Sequence, residues 1–434
     1  MKILALADDC NPEWPSLPVV GYQYAKALAE HVDLTVVTQI RNRPNIEKAG
    51  IGRAKVVYLD TERIAAPIHK LATFLRGGGA KGWTLQMAMD YPSYLAFERA
   101  AYRHFKSELA SGKYDVVHRI TPMSPTIPSP MASWSDVPFV LGPLNGGLPW
   151  PKAFTREQRR EREWLSRARN AYRLLPYYSS TYARPRAILA AFKHTIDDLP
   201  EGAASRVIDF PEVGILPELF SRPTRVPRDR LTILSAGRLV PYKLPDVVVH
   251  AFAASPLLRK HRLLIVGDGP ERQEIERVVG ENNLAGSVEL VGQQPQSKVA
   301  EFMRESEIFA FPSIRELGAG VVVEAMACGM ACVAVDYGAP ATLIGPDRGV
   351  KVPLGTKPEI IEAFRIALES LVTDPVRIER LGAAAHDHAM SYYDWNVKAR
   401  KTIEVYDWVL RRSAARPNFW AASGAQPRIN SSIV

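Results

Sequence analysis

Short apolar runs recur along the chain, each four or five residues long and each ending at a polar residue or a glycine. Ile3–Ala7, Asp33–Thr38, Lys55–Leu59, Tyr114–His118 and Pro138–Leu141 form the first series. Runs without polar alternation fit strands buried on both faces, as in a parallel sheet covered by helices. A Pro-rich loop, Asn11 to Pro18, leads into a helical pattern over Gly21–Glu30. A second series begins after Pro217–Pro227, a Pro- and Arg-rich stretch that reads as a linker. Its strands are Leu231–Ala236, Arg262–Val266, Val288–Val291, Ile308–Phe311 and Ala331–Val335. Helical patterns alternate with them at Asp246–Ala254, Glu271–Val279, Ser297–Glu305, Val321–Cys328 and Lys357–Val372. Two successive βαβ runs predict an α/β chain of two Rossmann-like domains, 1–220 and 228–390, with a cleft between them. A helix over 391–412 follows, and the Pro-, Asn-, Gly- and Ser-containing tail 413–434 is expected to be disordered.

Composition narrows the class. At 47% hydrophobic and 23% charged over 434 residues, the chain is core-forming, which excludes disorder, collagen and coiled coil. No run approaches the roughly 18–20 apolar residues of a membrane span. Met1–Ala7 stops at Asp8-Asp9, too early for a signal-peptide core, and reads as a strand. Cys10, Cys328 and Cys332 cannot make a disulfide framework, and Cys328 and Cys332 lack further zinc ligands. A cytoplasmic, reduced, metal-free protein is expected.

The net charge of +9 is skewed: residues 1–225 hold 30 Lys/Arg against 22 Asp/Glu. Eight of those bases fall in 151–173, so the first half favours an anionic partner or surface. No helix-turn-helix, RNP-like or zinc-finger pattern accompanies the charge, and nucleic acid is not expected.

Candidate chemistry gathers in the second half. Gly237-Arg238-Leu239 follows a strand, with Lys243 five residues after the Arg. Two cations in such a loop can hold a diphosphate, although alone they also fit a solvated turn. Gly267-Asp268-Gly269-Pro270 is a tight turn in which Asp268 serves equally well as a cap. Glu316 and Glu324 flank Leu317-Gly318-Ala319-Gly320, which places one acid in a loop and one on the first turn of a helix. Glycines there let a ligand approach backbone N–H groups at a helix start. The bland alternatives are a dipole-favoured acid for Glu324 and an Arg315 partner for Glu316.

In order and spacing these motifs, with Glu324-Ala325-Met326-Ala327-Cys328-Gly329, resemble glycosyltransferase family 4 across residues 231–345. The resemblance implies a GT-B fold, retained anomeric configuration and no metal or other cofactor. The chain contains no Asp-x-Asp, in agreement. It implies that Arg238 and Lys243 bind the donor diphosphate, Glu316 the donor sugar and Glu324 the ribose hydroxyls. The backbone at Gly318, Ala319 and Gly320 would meet sugar and diphosphate, and Gly292-Gln293 the base. Leu244 stands where the family often has Gly, and Leu317-Gly318-Ala319-Gly320 where it has Phe-Gly.

In the first half, Gly21 resembles the family's glycine loop near the donor phosphates. His118, ending Asp115-Val116-Val117-His118, resembles its cleft histidine near the reacting carbon. Gly142–Gly147 resembles a cleft-facing loop, Val213-Gly214-Ile215 the crossover, and Asp394-Trp395 the start of the returning helix. Catalytic roles are thus expected for His118, Glu316, Arg238 and Lys243. The implied function is hexosyl transfer from a nucleotide sugar to a saccharide, lipid-linked or small-molecule acceptor, in cell-envelope polysaccharide or glycoconjugate synthesis. Residues 151–173 and Arg63–Met89 combine bases with Phe154, Trp164, Phe74 and Trp83, which fits peripheral contact with an anionic membrane. The same residues fit helices packed on their own domain. A glycoside hydrolase would have no use for Arg238 and Lys243. A sugar-nucleotide epimerase and a catalytically silent GT-B binding protein are the remaining alternatives.

Overall fold

The computed structural model describes residues 1–75, 83–161, 171–224 and 228–421. The first domain is one parallel sheet of β1 (Lys2–Ala7), β2 (Asp33–Gln39), β3 (Lys55–Leu59), β4 (Val116–Thr121), β5 (Phe139–Leu144), β6 (Ala187–Ala190) and β7 (Val207–Asp209). Its order is β3-β2-β1-β4-β5-β6-β7. The second sheet holds β8 (Thr232–Ala236), β9 (Arg262–Val266), β10 (Val288–Gly292), β11 (Ile308–Phe311), β12 (Ala331–Val335) and β13 (Gly349–Val352), in the order β10-β9-β8-β11-β12-β13. It too is parallel. In each sheet the order reverses beside the first strand, which opens a crevice at the carboxyl ends of the strands.

The apolar runs become strands because helices cover both faces; β4, β5 and β12 are buried along their whole length. The first helix, Leu17–Ala29, begins four residues before the expected start, because Pro18 sits in its first turn, where a missing N–H costs nothing. Helix Lys357–Val372 matches expectation and opens on a capping box of Thr356 and Glu359.

The chain crosses between domains three times. After β5, Pro149 to Arg160 leaves the first domain and lies on the second. Phe154 is buried in the second domain's core, the Tyr337 hydroxyl donates to Pro149 O at 2.8 Å, and Arg160 donates to Glu271. For Phe154 the expected packing on its own domain is therefore replaced by packing on the other one, whereas Tyr172, at the far end of the stretch, packs on Tyr178 of the first domain and donates to Asp198 at 3.3 Å. Trp164 and the rest of 162–170 lie outside the described residues, as do 76–82.

The linker makes the second crossing, and the third follows helix Pro375–Tyr392. Ile215 N donates to Tyr393 O at 2.8 Å where the two meet, and a methyl built on Gly214 would lie 2.6 Å from the Trp395 ring. Helix Trp395–Val409 then returns to the first domain, as expected, and packs on Leu17–Ala29 through a 2.6 Å Tyr24–Thr402 hydroxyl contact. Lys398 on this helix is buried among aromatic rings, 4.6 Å from Phe210, with its ammonium donating to Pro211 O. Burial pushes it down to about 7, against the attraction of Glu212.

Two expectations are corrected here. The tail is ordered through residue 421: Phe419 is buried in the first domain's core and Trp420 Nε1 donates to Asp209 at 2.7 Å. Residues 422–434 lie outside the described residues. His118 does not face the cleft. It lies within β4, fully buried, with Nε2 2.7 Å from Gly142 O and Nδ1 2.6 Å from the Tyr406 hydroxyl. Side chains alternate along a strand, and this face of β4 meets the returning helix. His118 thus pins that helix, as a neutral ring donating from Nε2 and accepting at Nδ1.

Burial pushes His118 down to about 4. The unfolded chain binds this proton more readily, so the contribution to stability is complete above about pH 6.5 and is lost as pH falls towards 4. The stability advantage of the native protein over His118→Gln in urea unfolding should shrink by about 2–3 kcal/mol between pH 7 and 4. A constant difference would contradict the pinning role.

Candidate active site

Two loops at the carboxyl edge of the second sheet are knit together before any ligand arrives. Gly237 N donates to Val266 O and Leu239 N to Asp268 O, both at 2.9 Å. A methyl on Gly267, at φ +141°, would stand 1.9 Å from Gly237 O, so only glycine fits there. Asp268 accepts from Gly269 N at 2.7 Å within the turn and lies 3.7 Å from Arg272; it does not cap helix Arg272–Glu281, whose N-cap position is Glu271.

Lys243 and Glu316 meet above this floor. Nζ lies 2.6 Å from Oε1, with the two side chains 14% and 13% exposed. Ser313 Oγ donates to the same oxygen at 2.8 Å, and the ammonium stands 4.9 Å from the centre of the Phe311 ring. Arg238 is exposed and donates to the Tyr242 hydroxyl at 2.8 Å. The expected diphosphate pair is therefore split: Lys243 is held by Glu316 and Arg238 is presented to solvent.

Gly318 and Ala319 precede helix Gly320–Ala327, and Ala319 caps it in the left-handed conformation at φ 50°. A non-glycine residue held there costs on the order of 1 kcal/mol, strain of the kind that collects where backbone must meet a ligand. Glu324 opens the second turn rather than the first, which weakens the dipole explanation for it. Gln296, on helix Gln296–Glu305, donates to its Oε1 at 2.9 Å. Burial pushes Glu324 up to about 7. Gly292 ends β10 at φ 82°, and Gln293 beside it is exposed. Among the described residues no three His, Cys, Asp or Glu side chains gather as a metal site.

Gly21 is corrected. It lies one turn inside its helix, buried, and a methyl on it would reach within 2.5 Å of Asp9 O and 2.9 Å of Thr121 Cγ2. Its small size lets the helix pack on the end of β4; it presents no free turn to a phosphate. The loop after β5 does face the second domain. Asn145 Nδ2 donates to Glu212, which is 3% exposed and pushed up to about 7 by burial. A methyl on Gly318 would lie 1.8 Å from Glu212 Oε1, so the acid is wedged against the loop that carries the helix start. Glu212 and Gln296 were not expected from the sequence, because each acts through a contact with a distant segment; Asn145 lies in the loop expected to face the cleft, and Tyr242, four residues from Arg238, was not singled out.

Residues 218–388 match the family model described as Glycosyl transferases group 1. That match falls on the second domain. Over 195 residues it is 32% identical to a D-inositol 3-phosphate glycosyltransferase of Streptomyces griseus, a match spanning 43% of this chain and 40% of that protein. The GPI3 subunit of the phosphatidylinositol N-acetylglucosaminyltransferase of Saccharomyces cerevisiae is 24% identical over 197 residues, 44% of this chain and 42% of that one. The matched stretch thus spans about two fifths of these relatives. Solved structures cover nearly the whole chain. Sucrose-phosphate synthase from Thermosynechococcus elongatus aligns with a TM-score of 0.65 at 19% identity, over 95% of this chain and 100% of that one. Anabaena HepE in complex with UDP and glucose aligns at 0.60 and 16%, over 94% and 100%. The chain has the GT-B fold, two Rossmann-like domains with their carboxyl edges opposed, and the stretch similar to the group 1 model lies in the second.

The wedge at Gly318 is directly testable. Gly318→Ala should lower unfolding free energy by about 2 kcal/mol, because the buried, hydrogen-bonded Glu212 cannot swing away. On a Glu212→Ala background the loss should largely disappear in a double-mutant cycle. Additive losses would show that the two do not press on each other.

Proposed function

We propose that the chain is a glycosyltransferase that moves a hexosyl group from a nucleotide-sugar donor to an acceptor hydroxyl, with retained configuration and without a metal. The observation that carries this reading is the 2.6 Å Lys243–Glu316 pair in the stretch similar to the group 1 model, with Arg238 and Glu324 on the same sheet edge. Support for the donor class comes from the HepE structure, which holds UDP and glucose.

Cleaving the bond between sugar and phosphate leaves its electron pair on the diphosphate and a deficit at the anomeric carbon. In this reading Lys243 turns from Glu316 to the diphosphate, and Arg238 and the amides at Gly318–Gly320 complete its neutralisation. Glu316, freed of Lys243, accepts hydrogen bonds from the sugar hydroxyls. Glu324, with Gln296 beside it, receives the ribose. No protein nucleophile is assigned: the acceptor oxygen attacks from the leaving group's own face and its proton passes to a phosphate oxygen. His118 takes no part, since both of its nitrogens are engaged.

Lys152, Arg156 and Arg159 are exposed on the segment that Phe154 anchors. They support, as a further part of this reading, a lipid-linked acceptor reached at the inner face of an anionic membrane, where each base adds about 1 kcal/mol. No described helix is long and apolar enough to cross one.

A screen of UDP-, GDP- and ADP-sugars identifies the donor. With that donor, Arg238→Ala and Glu324→Ala should each lower kcat/KM by about 30- to 1,000-fold, with folding retained, and EDTA should leave the native rate unchanged. Near-native kcat/KM in either variant, or a loss in EDTA restored by Mg²⁺, would overturn the assignment. Conversion of the donor with no acceptor present would favour the epimerase.

A further inference from the structure

Among the described residues, five buried polar atoms without a hydrogen-bond partner belong to one region of the domain interface. They are Asn145 Oδ1, Trp150 Nε1, His194 Nε2, Glu212 Oε2 and Arg315 Nε. Their residues adjoin one another. Asn145 bonds Glu212, and the next residue, Gly146, is held by Thr195, whose hydroxyl lies 3.1 Å from Gly146 N and 3.0 Å from Gly146 O. A methyl on Gly147 would lie 2.8 Å from His194 O. Arg315 stands 5.1 Å from the centre of the Trp150 ring, and its charge reaches His194. Glu212, nine-tenths buried and more, touches the Gly318 loop, and Arg315 precedes Glu316.

An unsatisfied buried polar group costs about 1–3 kcal/mol, so five together are expected only where something else supplies the partners. The set identifies the partner by its chemistry. Trp150 and Arg315 offer N–H donors and Asn145 an acceptor, while Glu212, pushed up to about 7, accepts when ionised and donates when protonated. His194, pushed down to about 4 by burial, is neutral and can do either. A phosphate brings acceptors alone and would oppose the oxygens of Asn145 and of ionised Glu212. A hydroxyl both donates and accepts, and a ring of hydroxyls answers a mixed set.

We propose that Asn145, Trp150, His194, Glu212 and Arg315 form a subsite for a hydroxylated sugar ring of the acceptor, beside the Lys243–Glu316 pair. Asn145, His194 and Glu212 come from the first domain and its linker, and Trp150 from the segment that leaves it, which places the ring on the side opposite the nucleotide. The inference rests on the glycosyltransferase reading, and its test separates the two.

Trp150 is its own reporter. In protein with ¹⁵N-labelled indoles, its signal is identified by its loss in Trp150→Phe. Methyl α-D-glucopyranoside and myo-inositol are titrated into the native protein, with and without UDP. The subsite predicts a saturating shift of the Trp150 signal for at least one of them. Glu212→Gln keeps the oxygen that Asn145 donates to and turns the other into an amide donor, so it should weaken that response at least about tenfold. Unchanged signals from the other tryptophans show that the variant is folded. No saturating shift with either sugar, or equal affinity in Glu212→Gln, overturns the subsite and leaves these atoms to water. A response to UDP-glucose alone would assign the ring to the donor and overturn the acceptor assignment. UDP binding without a sugar response defeats the subsite and spares the function. Failure of UDP, GDP and ADP to bind, with Trp150 still responding, does the reverse.

Discussion

Everything functional in this molecule depends on two parallel sheets being held with their carboxyl edges opposed. A single linker would leave that geometry loose, because one covalent crossing fixes no angle. Here three crossings act together. Phe154 is buried in the second domain from a segment of the first, a burial that contributes about 2–3 kcal/mol. Gly214 and Ile215 lie against Tyr393 and Trp395, so the outgoing and returning strands of chain brace each other. His118 and Tyr24 then hold the returning helix through Tyr406 and Thr402. The histidine that the motif resemblance placed at the reacting carbon is thus part of the frame that creates the cleft.

In the proposed reading the charged groups within that frame exchange partners. Lys243 and Glu316 are largely shielded from water, and removing one member of such a pair strands the other at a cost of about 3–5 kcal/mol. A diphosphate and a sugar arriving together offer each member a replacement, whereas either alone offers only half of one. Arg238, held outward by Tyr242, is available for first contact with the anion. Glu212 works at the opposite wall, where an acid kept from water presses on the glycine loop that leads into the helix.

Much of this was legible in the sequence. The long apolar runs became strands within a residue or three, and the spacing of Arg238, Lys243, Glu316 and Glu324 brought all four to one sheet edge. The strands β6, β7 and β13 were missed: β6 runs on into Ala191 and Phe192 with no polar residue or glycine to close it, β7 is three residues long, and β13 is interrupted by Lys351. Helix Pro375–Tyr392 carried a readable start, Asp374 capping Arg377 N before a proline, that was passed over. In the tail, Phe419 and Trp420 outweighed the surrounding small and polar residues. The loop holding Asn145 was legible, but its partner Glu212 was not, since nothing local distinguishes that acid; it matters because a loop after β5 meets a linker 67 residues on.

The central claim is that Lys243 is kept by Glu316 until a donor diphosphate replaces it. Calorimetric titration of the cognate nucleoside diphosphate into native protein, Glu316→Gln and Lys243→Ala tests this most directly. Freeing the ammonium from its acid should make Glu316→Gln bind the diphosphate more tightly than the native protein, while Lys243→Ala should bind it at least about tenfold more weakly. Equal affinity in all three proteins would mean that the pair is only a structural contact and that the diphosphate lies elsewhere.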